Sequence, residues 1–577
     1  MRTPIIVRFA LSLLILCSTL SATYARPSRH EVRAVWITTA AGLDWPRSTN
    51  KDEQQQSLRA IVANLKSMNF NTIFFQVRSR GDAYYRSTYE PWAENLTGTL
   101  GKNPGWDPLA LLLKEAHAAG MEVHAWFNVY KVRGPNRIPS SNPQHPARAH
   151  AEWVVDVENE GWFDPGIPAV RAYLIKIGLE LVRSYDIDGI QFDFARYPGL
   201  DFPDEKTFRR YGTGMKREDW RRSNIDKFIA VFYDSATAIK PMLKIGSAPI
   251  GVYNVGTMQS GWGAYHSYFQ NSRGWLGNHK QDYLVPQLYW DMGETTGDPD
   301  FAALAEEWQS SNAGRHVYAG LGVYKEEVMA QMLSQIDTSR TIGTLGQAFF
   351  RYEHIRDAKN LLSRYETPAL PPPMPWKDSI PTNPPLNLVA TELSPEVFHL
   401  EWTAPQSAAD GDTAKRYSIY RSTRGWGDAI LVALTNTQAV YYVDTVRVHH
   451  GPRYAYAVCA VDKGNNESAP CMAAPIVVNE LAALKRLIAA QVTLSTAASR
   501  EDTQVQFAGY KVAERTTVLL TLFKSGVEQP IATIVDQEQG PGTYVVSLPT
   551  KKLAGGSYLV RLQAGNTRIE RGIDVVR

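Results

Sequence analysis

An acidic residue stands at the end of an apolar run in the segment from Asp186 to Pro198, which reads DIDGIQFDFARYP. A buried strand normally excludes an unpaired carboxylate, so Asp193 is expected to serve chemistry at the point where the strand ends. Arg196 and Tyr197 follow directly. We expect the Arg196 guanidinium to hold the Asp193 carboxylate ionised, because a nearby positive charge lowers a carboxyl pKa. The alternative is that Asp193 only fixes the following loop through Arg196.

Polar and aromatic side chains also follow the other strand-like runs of the first half of the chain. If these strands are parallel, their carboxyl ends gather at one face, and their side chains converge there. Arg196 and Tyr197 are predicted to bind substrate at this face together with Gln76, Arg78, Asp82, Trp126, Asn128, Gln287, Tyr289 and Trp290. Aromatic rings suit the faces of sugars, and amides suit hydroxyl or acetamido groups. For each aromatic residue, packing is an equally good interpretation.

This set of side chains is typical of acetal cleavage. Hydrolysis of a glycosidic bond needs a proton donor for the leaving oxygen and a second carboxylate beside the oxocarbenium-like centre. We assign Asp193 to the second role and Asp291 or Glu294 to the first, because Trp290 beside them would raise a carboxyl pKa by desolvation. The sequence has no His/Cys cluster with metal-ligand spacing, no glycine-rich phosphate loop and no Gly-x-Ser-x-Gly motif. We therefore predict no metal and no cofactor.

The elements that must position these residues alternate between strand-like and helix-like segments over residues 30–366. Helical faces are visible between the strands, one of them carrying Leu58, Ile61, Val62 and Leu65. The eight strand-like runs are RAVWIT (33–38), TIFFQV (72–77), EVHAWF (122–127), DGIQFD (188–193), LKIGSAP (243–249), YLVPQLYW (283–290), HVYAGL (316–321) and GTLGQAFF (343–350). Eight apolar strands with helices between them predict a (β/α)8 TIM barrel.

The remainder of the chain is predicted to form two β-sandwich modules, so that the protein is multidomain. Residues 367–380 are a proline-rich linker, and residues 381–478 show the short alternating strands of a fibronectin type III-like module. A helical linker is predicted at 479–490 and a C-terminal β-sandwich module at 491–577.

Two cysteines lie in the first of these modules. Cys459 and Cys471 flank a turn-rich stretch centred near Asn465, which is six residues from each. In a hairpin they would face one another, so a disulfide is predicted if the module is in an oxidising compartment. Two thiols are the alternative.

The N-terminus carries an export signal. Arg2 and Arg8 precede the apolar run FALSLLILCSTL, and small residues follow up to Ala25. Residues 1–25 are therefore predicted to be a signal peptide, too short to cross a bilayer, with Cys17 as an alternative lipid-attachment site. We expect an exported protein in the periplasm, at the outer membrane surface or outside the cell. The net charge of +3 gives no indication of a nucleic-acid partner, and no integral membrane span is expected.

The barrel region also resembles a known family. EVRAVWITT, FFQVRSRGDAYYRSTYEPWAENLTGTLGKNPGWDPL, HAWFNVYKV, DPGIPAVRAYL, YDIDGIQFDFARYP and PQLYW occur in order across residues 31–290. These words resemble glycosyl-hydrolase-like family ten, the family of DigH-type bacterial peptidoglycan glycan hydrolases. The resemblance implies a (β/α)8 glycoside hydrolase of the cell envelope that acts on peptidoglycan glycan strands, including strands stripped of stem peptides.

The resemblance also marks particular residues. It points to Gln76, Arg78, Asp82, Trp92, Asn128, Asp193, Tyr197, Gln287 and Tyr289, and it departs at Phe194, where relatives carry a second acid. Two alternatives stay open at this point: a hydrolase of another polysaccharide, and a non-catalytic carbohydrate-binding or adhesion protein. For the peptidoglycan hydrolase, the two C-terminal β modules are expected to bind the polymer or to hold the enzyme at the envelope.

Overall fold

The computed structural model describes most of the chain. The described residues are 30–135, 142, 144–254, 263–293, 299–394, 397–423, 426, 429–435, 439–446, 454–473, 493–498, 506–512, 515–565 and 567–575. The predicted signal peptide, the predicted helical linker at 479–490 and Glu294 lie outside them. Within these ranges, no helix combines the length and the apolar character needed to cross a bilayer.

Eight parallel strands form a barrel, as the apolar runs predicted. They are β1 (Val32–Ile37), β2 (Thr72–Arg78), β3 (Glu122–Asn128), β4 (Gly189–Asp193), β5 (Lys244–Ser247), β6 (Tyr283–Leu284), β7 (His316–Val317 and Ala319–Leu321) and β8 (Gly346–Phe349). The first part of β7 pairs with β6 and the second part with β8, on either side of Tyr318. Since β8 also pairs with β1, the sheet closes on itself.

Helices on the outside of the barrel connect the strands. They are α1 (Lys51–Ser67), α2 (Pro108–Ala118), α3 (Pro168–Ser184), α4 (Arg217–Ile239), α5 (Ser272–Gly277), α6 (Phe301–Ser310), α7 (Glu326–Ile342) and α8 (Tyr352–Ile355). Helix α1 begins after Asn50, whose side chain accepts hydrogen bonds from the amides of Asp52 and Glu53. Its predicted apolar face, Leu58, Ile61, Val62 and Leu65, is buried against the barrel.

The inside of the barrel is filled by large side chains. Trp36, Phe74, Trp126 and Tyr283 pack together there, and the Trp36 indole donates to Gln191 Oε1 over 2.7 Å. The interior is thus a solid core, and an open site can form only above it, where the loops leave the carboxyl ends of the strands.

The loop after β3 adds a small antiparallel sheet on that open side. Its strands are Lys131–Arg133, Val154–Val157 and Glu160–Phe163, with the last strand in the centre. Three short helices lie in other loops or near this sheet: Pro146–Ala149, Glu205–Tyr211 and Ala264–Ser267.

The proline-rich segment, residues 367–380, lies across the opposite end of the barrel. The Leu370 carbonyl accepts a hydrogen bond from the Glu31 amide, and Met374 packs against the interior cluster. Trp376 donates to Asp282, and Lys377 pairs with the same carboxylate over 3.0 Å. This segment therefore covers the barrel floor rather than projecting away from it.

Two β-sandwiches follow. In the first, one sheet holds Leu386–Ser394, Val397–Thr403 and Tyr441–Thr445, and the other holds Arg416–Ser422, Ile430–Leu434, Ala455–Val461 and Cys471–Met472. In the second, the sheets are Thr493–Ala498, Gln506–Val512 and Gly542–Leu548, and Thr516–Lys524, Pro530–Gln539, Gly556–Ala564 and Thr567–Val575. Each has its own core between the sheets. The fibronectin type III class of the first remains a prediction.

The predicted disulfide between Cys459 and Cys471 is wrong. Val458, not Cys459, stands opposite Cys471 in the antiparallel pair. Because side chains alternate between the two faces of a sheet, this offset of one residue places the two sulfurs on opposite faces. Cys471 packs against the core between the sheets, whereas Cys459 belongs to a cluster on the outer face, and no disulfide joins them.

Candidate active site

Asp193 is the last residue of β4 and lies at the open end of the barrel. Its carbonyl accepts a hydrogen bond from the Val129 amide over 2.8 Å, which fixes the strand end beside β3. Phe194 follows with a φ of 52°, a left-handed conformation that a bulky residue rarely adopts. In that conformation the Phe194 amide donates to Asp193 Oδ1 over 2.7 Å. The carboxyl group is thus held in place while its side chain stays partly exposed to solvent.

The protonation of Asp193 differs from the sequence prediction. Burial raises the pKa of its carboxyl to about 6, although the Phe194 amide, Arg196, Lys131 and the Trp126 indole all favour the ionised form. The pKa shift therefore runs opposite to the one expected from Arg196, because desolvation outweighs the attraction. A raised pKa brings the carboxyl closer to the protonated form that a general acid needs.

Arg196 is nearby but is not bound to Asp193. Its guanidinium lies 4.9 Å from the ring centre of Tyr268, 5.1 Å from that of Phe194 and 5.5 Å from that of Trp162. Its hydrogen bond goes to the Tyr197 carbonyl over 3.3 Å. Within the described residues it forms no ion pair with a carboxylate, and burial lowers its pKa. A cation enclosed by aromatic rings and lacking an anionic partner is suited to a negatively charged ligand.

A buried polar atom beside Asp193, Asn128 Oδ1 on the neighbouring strand β3, has no hydrogen-bond partner among the described residues. The Trp126 indole on the same strand acts on the Asp193 carboxyl itself and favours its ionised form. Asn128 uses its other amide atom to donate to the Ser79 carbonyl over 2.8 Å, which fixes its orientation. An unsatisfied buried acceptor is costly for the fold alone, so Asn128 Oδ1 marks a place where the donor of a polar ligand would complete the bonding.

Gln76 is placed at the same end of the barrel, on β2. Its Oε1 accepts hydrogen bonds from the amides of Thr39 and Ala40 over 2.9 and 2.8 Å. The oxygen therefore holds the loop after β1. Its Nε2 donates to no group of the described chain, so the predicted substrate contact is limited to this one atom.

An aromatic wall faces Asp193 from the other side. Tyr289 stacks on Phe350 with ring centres 5.6 Å apart, and Tyr324 packs edge-on against both. The negative charge of Asp193 contributes to the raised pKa of Tyr289, whose largest cause is burial. Tyr324 is 46% exposed, which is unusual for a tyrosine that packs on other rings. Tyr289 was predicted here. Phe350 and Tyr324 were missed, although Phe350 ends the apolar run of β8.

Arg78 and Tyr197 are not available to a substrate, so their predicted binding roles are wrong. Arg78 is fully buried, forms two hydrogen bonds to Glu90 over 2.8 Å each and donates to the carbonyls of Asn128 and Val129. Tyr197 is also fully buried, and its hydroxyl accepts from Asn224 over 3.2 Å. Both residues support the loops of the site from below.

Trp290 is also misassigned as a sugar platform. Side chains after β6 alternate, so that Tyr289 faces the interior side and Trp290 faces the helices. Trp290 packs against the outer core, and its carbonyl accepts from Gln335 on α7 over 2.8 Å. Gln287 is on the same side as Tyr289, half-buried, with a long hydrogen bond of 3.4 Å to the Ala248 carbonyl. Its place agrees with the predicted contact.

Comparison with known proteins identifies the family. Residues 31–335 match the family model described as glycosyl hydrolase-like 10. The chain belongs to this family. It is 31% identical over 502 residues to the glycosyl hydrolase YngK of Bacillus subtilis, covering 80% of this chain and 97% of YngK. It is 34% identical over 328 residues to the glycosyl hydrolase DigH of Escherichia coli K12, covering 52% of this chain and 74% of DigH.

Among solved structures, the glycoside hydrolase domain of PgaB (BpsB) from Bordetella bronchiseptica matches with a TM-score of 0.41 at 12% identity. The match covers 58% of this chain and 97% of that domain. The family assignment depends on the sequence matches alone. Those matches show that the protein is a glycoside hydrolase. Enzymes of this class usually cleave the glycosidic bond with two carboxyl groups.

Three further acids are predicted either to share catalysis with Asp193 or to contact the substrate: Asp82, Asp291 and Glu294. Asp291 is half-buried in the loop that follows β6, and its carboxylate makes no hydrogen bond to a described residue. Asp82 is half-buried as well, and its Oδ1 accepts from the amides of Arg80 and Ser79 over 2.8 and 3.3 Å, which leaves Oδ2 available. Glu294 lies outside the described residues. The two described acids both project from loops at the open end of the barrel.

Proposed function

We propose that this glycoside hydrolase cleaves the glycan strands of peptidoglycan by two-carboxylate catalysis, with Asp193 as the proton donor. The raised pKa of Asp193 supports this assignment, because a general acid has to be protonated near the operating pH. This differs from the sequence prediction, in which Asp193 was the second carboxylate and Asp291 or Glu294 was the proton donor. The second carboxylate, which activates water or traps the sugar, is one of Asp82, Asp291 and Glu294.

The single observation that carries the proposal is the environment of Asp193. A partly exposed carboxyl with a pKa of about 6 lies beside an unpartnered acceptor on Asn128. The hydroxyl and acetamido groups of amino sugars supply the O–H and N–H donors that complement this acceptor. The aromatic wall of Tyr289, Phe350 and Tyr324 supplies the apolar surface on which a sugar ring packs.

The choice of peptidoglycan rests on the family resemblance and on Arg196. In a glycan strand stripped of stem peptides, each muramic acid residue carries a free lactyl carboxylate. In a strand that keeps its peptides, the same carboxyl group is an amide and has no charge. A guanidinium without an anionic partner close to Asp193 therefore favours the stripped strand.

The proposal includes export to the cell envelope, where this polymer is found. It is supported by the basic and apolar character of residues 1–25. The two β-sandwiches are proposed to keep the enzyme close to the polymer.

The test is a comparison of three polymers with purified enzyme. Product release is measured from stripped glycan strands, from intact peptide-bearing peptidoglycan and from chitin oligomers, which have the same linkage without the lactyl group. Stripped strands are expected to be cleaved fastest. Arg196→Gln should lower the rate on stripped strands towards that on chitin, and the surface variant Arg59→Gln should behave as wild type. Cleavage of chitin oligomers or of peptide-bearing peptidoglycan at least as fast as stripped strands would overturn the substrate assignment, and binding without product release would overturn the reaction.

A further inference from the structure

Three carboxylates from distant parts of the chain converge outside the barrel site. They belong to Asp378 in the proline-rich segment, Asp412 in a loop of the first β-sandwich and Asp462 in the turn after the strand Ala455–Val461. One oxygen from each side chain lies within 4.8 Å of the other two. Among the described residues, no other set of three His, Cys, Asp or Glu side chains is arranged in this way.

The bonding of these carboxylates is incomplete. Asp462 is fully buried, its Oδ1 accepts from the Asn466 amide over 2.9 Å, and its Oδ2 has no partner. Asp378 repeats the pattern, since Oδ1 accepts from the Ile380 amide over 3.0 Å and buried Oδ2 has no partner. No lysine, arginine or histidine of the described chain forms an ion pair with any of the three acids. Asp462 is buried and the other two acids are half-buried, and carboxylates this close together without a counter-charge repel one another, so their arrangement favours the binding of a cation.

We propose that Asp378, Asp412 and Asp462 form a calcium site that fastens the first β-sandwich to the floor of the barrel. Hard oxygen ligands without nitrogen or sulfur are the set that Ca²⁺ prefers. With Ca–O distances of about 2.3–2.6 Å, oxygens on one Ca²⁺ lie up to ~5 Å apart, which accommodates the observed separations. The smaller octahedral shell of Mg²⁺ is a poorer match for three ligands that come from three separate segments.

The surroundings explain what such an ion would do. The proline-rich segment that carries Asp378 is bound to the barrel floor through Trp376 and Lys377, both on Asp282. The turn that carries Asp462 also carries Asn465, which donates to Glu122 at the base of β3 over 2.8 Å. A cation on all three carboxylates would join these two attachments. The site is far along the chain from the catalytic loops, so its effect is on the junction of the domains rather than on hydrolysis.

The test measures calcium binding and thermal stability on the full-length protein after dialysis against EDTA. Isothermal titration with CaCl₂ at pH 7.5 is expected to show one ion per chain, with weaker binding of MgCl₂, and CaCl₂ should raise the melting temperature. Asp412→Asn should weaken calcium binding by at least ~10-fold, because affinity follows the number of charged ligands. This residue is half-exposed, and its side chain makes no hydrogen bond within the described chain, so the variant is expected to fold.

Asp410→Asn is the matched control. Asp410 lies in the same loop, and its Oδ1 accepts from the Asp412 amide over 3.0 Å, a bond that asparagine preserves. It should bind calcium like the wild type. The proposal is overturned if the wild type shows neither heat of binding nor a shift in melting temperature, the outcome expected if a shared proton neutralises the acids. An equal calcium response in Asp412→Asn and wild type would overturn it too. Both outcomes are independent of activity on any glycan.

Discussion

The pKa of a carboxyl group is shifted in opposite directions at the two ends of the barrel. At the carboxyl end, Asp193 forms no ion pair within the described residues, and burial raises its pKa to about 6 although the Phe194 amide, Arg196, Lys131 and Trp126 favour the charged form. At the amino end, burial also disfavours the charge of Glu122, but Lys244 at 2.7 Å and His124 at 3.2 Å outweigh it and lower the pKa. Burial opposes the charge of both acids. The difference between them is the close cationic partner that Glu122 has and Asp193 lacks, and this distinguishes the reactive end from the structural one.

The largest expected effect is the loss of hydrolysis in Asp193→Asn. Asparagine keeps the shape and accepts the Phe194 hydrogen bond but cannot donate the catalytic proton. We expect a fall in kcat of roughly 10²–10⁴-fold, the usual contribution of general acid catalysis. Release of soluble sugar from stripped glycan strands measures it. Asp188→Asn serves as a control at the amino end of β4. Equal rates for Asp193→Asn and wild type would remove Asp193 from the mechanism.

The next effect concerns the stability of the amino end. Glu122→Gln leaves Lys244 buried without its counter-charge and should lower the free energy of unfolding by about 3–5 kcal/mol. Denaturant unfolding followed by tryptophan fluorescence is the measurement. Glu115→Gln breaks the exposed pair with Arg59 at 3.0 Å and should cost only about 0–1 kcal/mol. If both variants lose the same free energy of unfolding, the buried pair of Glu122 and Lys244 stabilises the protein no more than the exposed pair of Glu115 and Arg59 does.

A smaller effect of opposite sign is expected at Asp193. Its carboxyl ionises at about pH 6 in the folded protein and at about 3.9 when unfolded. Ionisation therefore lowers the stability of the folded state above pH 6, and this penalty disappears as the pH falls towards 4. Asp193→Asn should be more stable than wild type at pH 7.5, by roughly 0.5–2 kcal/mol. Melting curves at pH 7.5 and pH 4.5 test this, and a destabilised variant at pH 7.5 would contradict the raised pKa.

The sequence predicted the barrel well because each strand is a short apolar run that is buried on both sides. It also located Asp193, Asn128 and Tyr289 at the open end of the barrel, since a polar or aromatic residue at the end of such a run stands out. Their roles remain predictions. Trp290 could have been excluded by alternation, because it is adjacent to Tyr289 and must face the other side.

The remaining errors have physical reasons that one sequence does not show. The Arg78 guanidinium is fully occupied by hydrogen bonds to Glu90 and to the carbonyls of Asn128 and Val129. These contacts depend on how the loops fold back. Cys459 and Cys471 are separated by a register shift of one residue. The acid cluster of Asp378, Asp412 and Asp462 joins positions that are far apart in the chain. The protonation of Asp193 depends on the balance of burial and charge, which spacing alone cannot give.

The pH dependence of kcat/KM on stripped glycan strands tests the central claim most directly, because this ratio reports the ionisation of groups in the free enzyme. If burial without a close cationic partner makes Asp193 the proton donor, activity should decline as the pH rises through about 6. An activity that instead increases as the pH rises through this value would show that Asp193 acts as a carboxylate, and it would contradict the account.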